Sequence, residues 1–139
     1  MPMTAADSPV FIDTNVLIYL LGDDPKKADQ AESVVRSGGI VSVQVLNEMT
    51  NIMHRKIAMS WAEIDEVIAI VQSLCKIEPL TLDVHNRGRF IAKRYGFSIY
   101  DSMIVASALL AGCKTLYTED MQHGQVFEQQ LRVCNPFSR

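Results

Sequence analysis

Short apolar runs alternate along the chain with longer stretches in which apolar residues recur every three or four positions, the pattern of strands joined by amphipathic helices. Pro9-Val10-Phe11-Ile12 is short, apolar and partly β-branched, and it ends abruptly at Asp13, so it predicts a buried first strand. A helix is expected to follow through Val16 to Leu21. Asp24-Pro25 is an N-cap followed by proline at the first helical position, and Gly38-Gly39 stops the helix it opens. Ile40-Val41 predicts a second short strand. From Ser42 onward Val45, Leu46, Met49, Ile52, Met53 and Ile57 recur at helical spacing, which puts Glu48 in the first two turns of that helix.

Ser60-Trp61-Ala62-Glu63 is a capping box, and Ile64, Val67, Ile68, Val71 and Leu74 form the apolar stripe of the helix behind it. Pro79 to Thr81 is the expected third strand, and a helix carrying Arg87, Arg89, Lys93 and Arg94 then runs to about Tyr95, where Gly96 ends it. Ser98-Ile99-Tyr100-Asp101 is a second capping box, opening a helix that closes at Gly112. Thr115 to Thr118 predicts a fourth strand, Glu119 to Gly124 a loop, and Leu131-Arg132-Val133 the last strand. Strands separated by helices need crossover connections. The expected fold is therefore a single three-layer α/β domain over residues 1–139, with a short, mainly parallel sheet and its ligand site beyond the carboxyl ends of the strands.

Composition narrows the functional classes. No apolar run approaches the roughly 18 uncharged residues of a membrane helix, and Met1 to Ser8 lack the basic and apolar regions of a signal peptide, so no membrane partner and a cytoplasmic location are expected. Cys75, Cys113 and Cys134 are odd in number and far apart, which builds neither a disulfide framework nor a zinc knuckle; they are expected as buried, reduced thiols. Thirteen Lys and Arg against sixteen Asp and Glu give a net charge of -3, the wrong sign for holding nucleic acid by general electrostatics. That objection weakens if several acids gather in one pocket that takes up divalent cations.

Such a pocket is what the element order suggests. The first and fourth strands deliver Asp13 and Asp120 to one edge, and two helices starting there carry Glu48 and Asp101. Four converging carboxylates would repel one another, so at least one should have a raised pKa, and divalent cations are the simplest way to keep them charged. Oxygen ligands without His or Cys suit Mg²⁺ or Mn²⁺ rather than zinc. Each acid also has a structural reading: Asp13 as a helix cap, Asp101 as a capping-box acid, Glu48 as a surface helix residue, Glu119-Asp120 as a loop pair.

Phe11-Ile12-Asp13-Thr14-Asn15-Val16-Leu17, then Glu48, then Ser98-Ile99-Tyr100-Asp101-Ser102, then Leu116-Tyr117-Thr118-Glu119-Asp120-Met121-Gln122-His123-Gly124 closely resemble PIN domains, especially the toxin subunits of VapBC toxin-antitoxin pairs. The resemblance covers nearly the whole chain in the right order. It implies a metal-dependent endoribonuclease in which Asp13, Glu48, Asp101 and Asp120 are ligands of Mg²⁺ or Mn²⁺, directly or through water, with Asp13 and Asp101 foremost. Thr14, Asn15, Thr118 and Glu119 would orient them by hydrogen bonds. Between the two neighbouring acids, Asp120 matches the family pattern better than Glu119. The resemblance also implies an RNA substrate, a cognate antitoxin protein and a homodimer.

His123 reads more simply as a loop histidine than as a general base, because metal-assisted hydrolysis can proceed without one. The cluster Arg87, Arg89, Lys93 and Arg94 reads first as a solvated helix face and second as a contact for RNA or a partner. Two enzyme classes that also place an aspartate after an apolar strand fit less well. Haloacid dehalogenase-type phosphatases want a second aspartate where this chain has Asn15, and receiver domains want a late lysine, whereas Lys114 precedes its strand. The non-enzymatic alternative is a PIN-like RNA- or protein-binding module that has lost catalysis.

Overall fold

A computed structural model describes residues 9–138; the expectation that Met1 to Ser8 form no signal peptide concerns residues outside them. The elements in chain order are β1 (Val10–Ile12), α1 (Thr14–Ile18), a 3₁₀ turn (Tyr19–Leu21), α2 (Pro25–Arg36), β2 (Gly39–Ser42), α3 (Val43–Arg55), α4 (Trp61–Leu74), β3 (Cys75–Glu78), α5 (Leu82–Tyr95), α6 (Ile99–Leu110), β4 (Thr115–Tyr117), β5 (Val126–Phe127) and β6 (Leu131–Cys134). The sheet order is β3-β2-β1-β4-β6-β5, parallel throughout except for the antiparallel edge pair β5 and β6. Helices cover this sheet as a three-layer α/β/α domain.

Sequence signals explain most of the boundaries. Asp24 caps α2, its carboxylate accepting from the Lys26 and Lys27 backbone N–H groups, and Pro25 occupies the position where a missing N–H costs nothing. Ser60 and Glu63 form the complete reciprocal box expected at the start of α4. Gly96 ends α5 in the left-handed region at φ 76°, a conformation that a side chain would strain. The expected third strand at Pro79 to Thr81 is not formed: the pairing segment is Cys75–Glu78, which follows α4 without an intervening turn. Cys75 is itself the C-cap of α4, already extended at φ -120° and ψ 150°. The edge strand β5 was not anticipated; it has two residues and turns through Glu128 and Gln129, both at positive φ.

The topology decides where a ligand can sit. The chain steps outward from β1 to β2 to β3, then returns to the other side of β1 as β4. The chain leaves β1 through helices toward β2 on one side and leaves β4 through a loop toward β5 and β6 on the other, and this divergence opens a crevice between the carboxyl ends of β1 and β4. Ile12 pairs with Tyr117, so the next residues on each strand, Asp13 and Thr118, lie side by side there. Asp13 N donates to Tyr117 O at 3.0 Å and Thr118 N to Cys134 O at 3.1 Å, extending the sheet into the crevice. Beneath it Phe11, Ile12, Leu116, Phe127, Leu131 and Val133 are fully buried and make the centre of the core. Cys75 and Cys113 are buried free thiols, and burial pushes Cys113 up to about 12; Cys134 is half-buried. Among the described residues no helix is long and apolar enough to cross a membrane.

α5 and α6 approach closely because α5 carries Gly88: a Cβ added there would stand 2.8 Å from Met103 Cγ and 3.4 Å from Met103 Cα. This packing seats α6, whose first turn carries Asp101. Gly88→Leu is therefore expected to destabilise the fold. Overpacking costs typically 1–3 kcal/mol and helix propensity returns about 1, leaving a net loss on the order of 1 kcal/mol, measurable as a lower urea midpoint at unchanged m-value.

Candidate acidic site at the sheet edge

Asp13 is the pivot of the crevice. It is the N-cap of α1, with Oδ1 accepting from Thr14 N at 2.7 Å, while Oδ2 accepts from Thr118 Oγ1 at 2.9 Å and Asn15 Nδ2 at 3.3 Å. Its residue is only 4 % exposed, and every donor to it is neutral. Burial raises its pKa to about 7; the Thr14 and Thr118 hydrogen bonds oppose that rise, and the nearby Glu48 and Asp120 carboxylates add to it.

The other acids arrive from three elements. Ser42 caps α3 and so places Glu48, whose Oε1 accepts from Thr14 Oγ1 at 2.7 Å. Gln44, two residues into the same helix, donates to the Tyr100 carbonyl at 2.9 Å and joins α3 to the first turn of α6. There Ser98 Oγ accepts from Asp101 N at 3.2 Å; unlike the box at Ser60, no return bond from the Asp101 carboxylate completes it. Asp101 lines the cleft instead. Its pKa is raised, first by burial and then by Asp120, with a Ser98 contact opposing.

Asp120 lies in the loop after β4 and is held by Asn15. Asn15 Nδ2 donates to Asp120 Oδ2 and to Thr118 Oγ1, both at 3.0 Å, and Asn15 Oδ1 accepts from Glu119 N at 3.1 Å, which fixes the orientation of the amide. Thr118 Oγ1 is saturated: it donates to Asp13 and accepts from Asn15 and from Asp120 N at 3.1 Å. The cleft encloses about 260 Å³ and is lined by Asp13, Thr14, Asn15, Glu48, Asp101 and Asp120 together with Asn51, Ile52 and Ile104.

Asp13, Glu48, Asp101 and Asp120 are thus brought together, and Thr14, Asn15 and Thr118 bond directly to all of these except Asp101. Glu119 is not in the cleft. Its carboxylate accepts from Tyr19 Oη at 2.8 Å, away from its neighbour Asp120. Asn51 escaped the sequence reading, although it stands three residues after Glu48 and so shares its helix face. His123 Nδ1 accepts from Asn135 N at 3.0 Å, which occupies the ring nitrogen a base would need and ties the loop to the segment after β6. Arg87, Arg89, Lys93 and Arg94 are exposed on α5 and line no part of the acidic cleft. Arg94 pairs with Glu128 at 3.3 Å, and Arg89 donates to Asn86 at 3.1 Å.

A cation suits this donor set. The lining contains four carboxylates and no Lys or Arg, and the buried Asp13 has only neutral partners to offset its charge. Among the described residues no group of three acidic, His or Cys side chains is close enough to enclose an ion unaided.

An acidic cleft at the switch point of a mainly parallel, three-layer sheet places the chain among α/β proteins whose ligand site lies at the strand ends. The model of the PIN domain matches residues 10–126, and the chain belongs to that family. No curated protein sequence matches it. Among solved structures, a toxin-antitoxin complex from Klebsiella pneumoniae is similar at 20% identity and a TM-score of 0.69, covering 95% of this chain and 100% of that one. Mycobacterium tuberculosis VapC20, described as a toxin that cleaves the sarcin-ricin loop, is similar at 18% identity and a TM-score of 0.66, covering 80% of this chain and 91% of that one. FitAcB from Neisseria gonorrhoeae is similar at 22% identity and a TM-score of 0.64, covering 92% and 98%. At such identities the likeness speaks for the fold.

The electrostatics of Asp13 give a pH dependence with a definite sign. Its folded pKa of about 7 lies above the unfolded value near 3.8, so between them the folded protein holds a proton that the unfolded chain has released. Metal-free stability should therefore fall as pH rises from about 4 to about 7, by an amount on the order of 4 kcal/mol for this group alone. Asp13→Asn removes that slope. It also opposes an amide N–H to the Thr118 hydroxyl, a cost that does not vary with pH, so the slope is the readout and the absolute stability is not. In chelator, the melting temperature of the mutant relative to wild type should climb steadily between pH 4.5 and pH 7.5; a constant difference would show that Asp13 is not carrying the charge penalty.

Proposed function

We propose that this chain is a divalent-metal-dependent endoribonuclease and the toxin of a toxin-antitoxin pair. Membership of the PIN family supports it, and so do neighbours described as VapC-type toxins and toxin-antitoxin complexes. The observation that carries the reading is the buried Asp13 carboxyl, pressed by Glu48 and Asp120 in a cleft whose lining offers no cation.

In this reading Asp13, Asp101 and Asp120 hold Mg²⁺ or Mn²⁺, with Glu48 facing them directly or through water. When bound, the ion supplies the positive charge that a phosphodiester needs and lowers the pKa of an attacking water. The protein's own part is to fix the acids in advance. Thr14 locks the Glu48 carboxylate, Thr118 locks Asp13, and Asn15 spans Asp13, Thr118 and Asp120 so that the β4 loop keeps its place against α1. No protein base is required, in keeping with the engagement of His123 by Asn135. The toxin works in the cytoplasm as a homodimer. Its antitoxin inhibits it by inserting a basic side chain into the acidic cleft, where Arg or Lys would satisfy the same carboxylates that otherwise take the metal.

Purified protein incubated with mixed RNA should cleave internal phosphodiester bonds in Mg²⁺ or Mn²⁺ and not in chelator. Asp13→Asn and Asp101→Asn should each lower the rate by roughly 100-fold or more while leaving the fold intact, and Asp120→Asn should cost more than Glu119→Gln. Wild-type protein that binds metal but cuts no RNA would favour the binding-module alternative. A separate expectation concerns the antitoxin: neutralising its basic residues should abolish inhibition, measured as recovery of cleavage at equimolar partner.

A further inference from the structure

The proposed site depends on Asp120, which projects from a loop and is exposed. Asn15 holds its carboxylate from one side. On the other side, residue 119 is held twice: its backbone N–H by Asn15 Oδ1 at 3.1 Å, and its carboxylate by Tyr19 Oη at 2.8 Å. Tyr19 is braced in turn. Its ring packs edge-on against Phe137 with centroids 4.6 Å apart, and Lys27 Nζ donates to its hydroxyl at 3.3 Å while lying 4.8 Å from the ring centre. Two adjacent acids, Glu119 and Asp120, are thereby sent to opposite sides of the loop.

We infer that Tyr19 is a positioning residue for the site: by drawing the Glu119 carboxylate out of the cleft, its hydroxyl sets the stretch of backbone from which Asp120 faces the metal position. This rests on the function proposed above. Without the hydroxyl, residue 119 keeps only its backbone tie. Its carboxylate then has no anchor on α1's side of the loop, and Asp120 loses a fixed neighbour. The 3₁₀ turn that carries Tyr19 directly follows α1, the helix capped by Asp13, so one short segment orients both strand-end acids.

The chain supplies its own control. Tyr95 Oη donates to Glu128 Oε2 at 2.7 Å, with Arg94 beside the same carboxylate at 3.3 Å. This is the same chemistry, tyrosine to glutamate with a cation adjacent, between α5 and the β5–β6 turn, and neither residue lines the cleft. Tyr19→Phe and Tyr95→Phe each delete one hydroxyl and keep the ring.

Mn²⁺ binding by titration calorimetry, together with the Mn²⁺ concentration giving half-maximal RNA cleavage, tests the inference. Tyr19→Phe is expected to weaken Mn²⁺ binding roughly five- to tenfold, toward the low end for groups that orient a metal ligand. The half-maximal concentration should rise by the same factor, and Tyr95→Phe should shift neither. The double variant Tyr19→Phe/Glu119→Gln should bind Mn²⁺ as Tyr19→Phe does, because the contact is already gone. Equal Mn²⁺ affinity in Tyr19→Phe and wild type would overturn the inference, as would an equal loss in Tyr95→Phe, a further loss in the double variant, or a wild type that binds no Mn²⁺. Wild-type protein that binds Mn²⁺ without cutting RNA would sink the ribonuclease reading and leave the role of Tyr19 to be decided by binding alone.

Discussion

The burial of one carboxyl group at the end of β1 is the constraint around which the rest of the site is arranged. A charged Asp13 in that place loses its hydration, and three neutral donors recover only part of it. The surroundings then worsen the position: Glu48 and Asp120 stand close enough to push its pKa further up. A fold with nothing to gain there would have an apolar residue or an asparagine. Retaining an acid under desolvation and like charge is a stability cost that functional sites carry, and its natural relief is a cation.

The network that holds the acids consists of short side chains with no spare valence. Thr118 uses its one proton and both lone pairs, and the Asn15 amide engages four residues across the β1–β4 crevice, Asp13, Thr118, Glu119 and Asp120. Such bonding leaves few alternative arrangements, so the Asp13, Glu48 and Asp120 carboxylates are held in place by the protein itself. Rigidity also comes from below, because Asp13 and Thr118 continue paired strands of a fully buried sheet centre.

Much of this was legible in the sequence, for local reasons. The abrupt apolar-to-acidic transition at Asp13 marked the end of β1, apolar residues at helical spacing from Ser42 marked α3, and the Ser60 and Ser98 caps marked the starts of α4 and α6. Where reading failed, the local signal was missing or misleading. Cys75-Lys76-Ile77-Glu78 follows Leu74 with no Gly, Pro or Asn to announce the break, while Pro79 downstream looked like the boundary of a strand that is not there. β5 is invisible because its turn uses Glu128 and Gln129 at φ 51° and 57°, residues that carry none of the usual Asn or Gly signature. Glu119 illustrates a different limit. Its neighbourhood in sequence is the same as that of Asp120, and long-range contacts separate their fates, Tyr19 holding the Glu119 carboxylate and Asn15 that of Asp120.

Local concentration of charge also bears on the acidic balance of the whole chain. Of sixteen Asp and Glu, four line the cleft, so the remaining twelve face thirteen Lys and Arg and the outer surface is close to neutral. The net charge of -3 therefore says little about how a polyanion meets this protein; what matters is whether the cleft is metal-loaded. Four carboxylates repel an approaching phosphodiester, and a divalent ion reverses that only in part, leaving the cleft anionic at its edges. In the proposed reading, a polyanion would meet the ion-loaded cleft at one phosphate and need contacts outside the cleft for the rest of its length. The exposed cations nearest in kind are on α5, in hollows lined by Asn86, Arg87, Arg89, Phe90 and Lys93, which the acidic cleft does not share. Under the proposed function, binding strength and catalytic competence would lie on separate parts of the surface, and loss of a cleft carboxylate would remove the reaction without removing the means of contact.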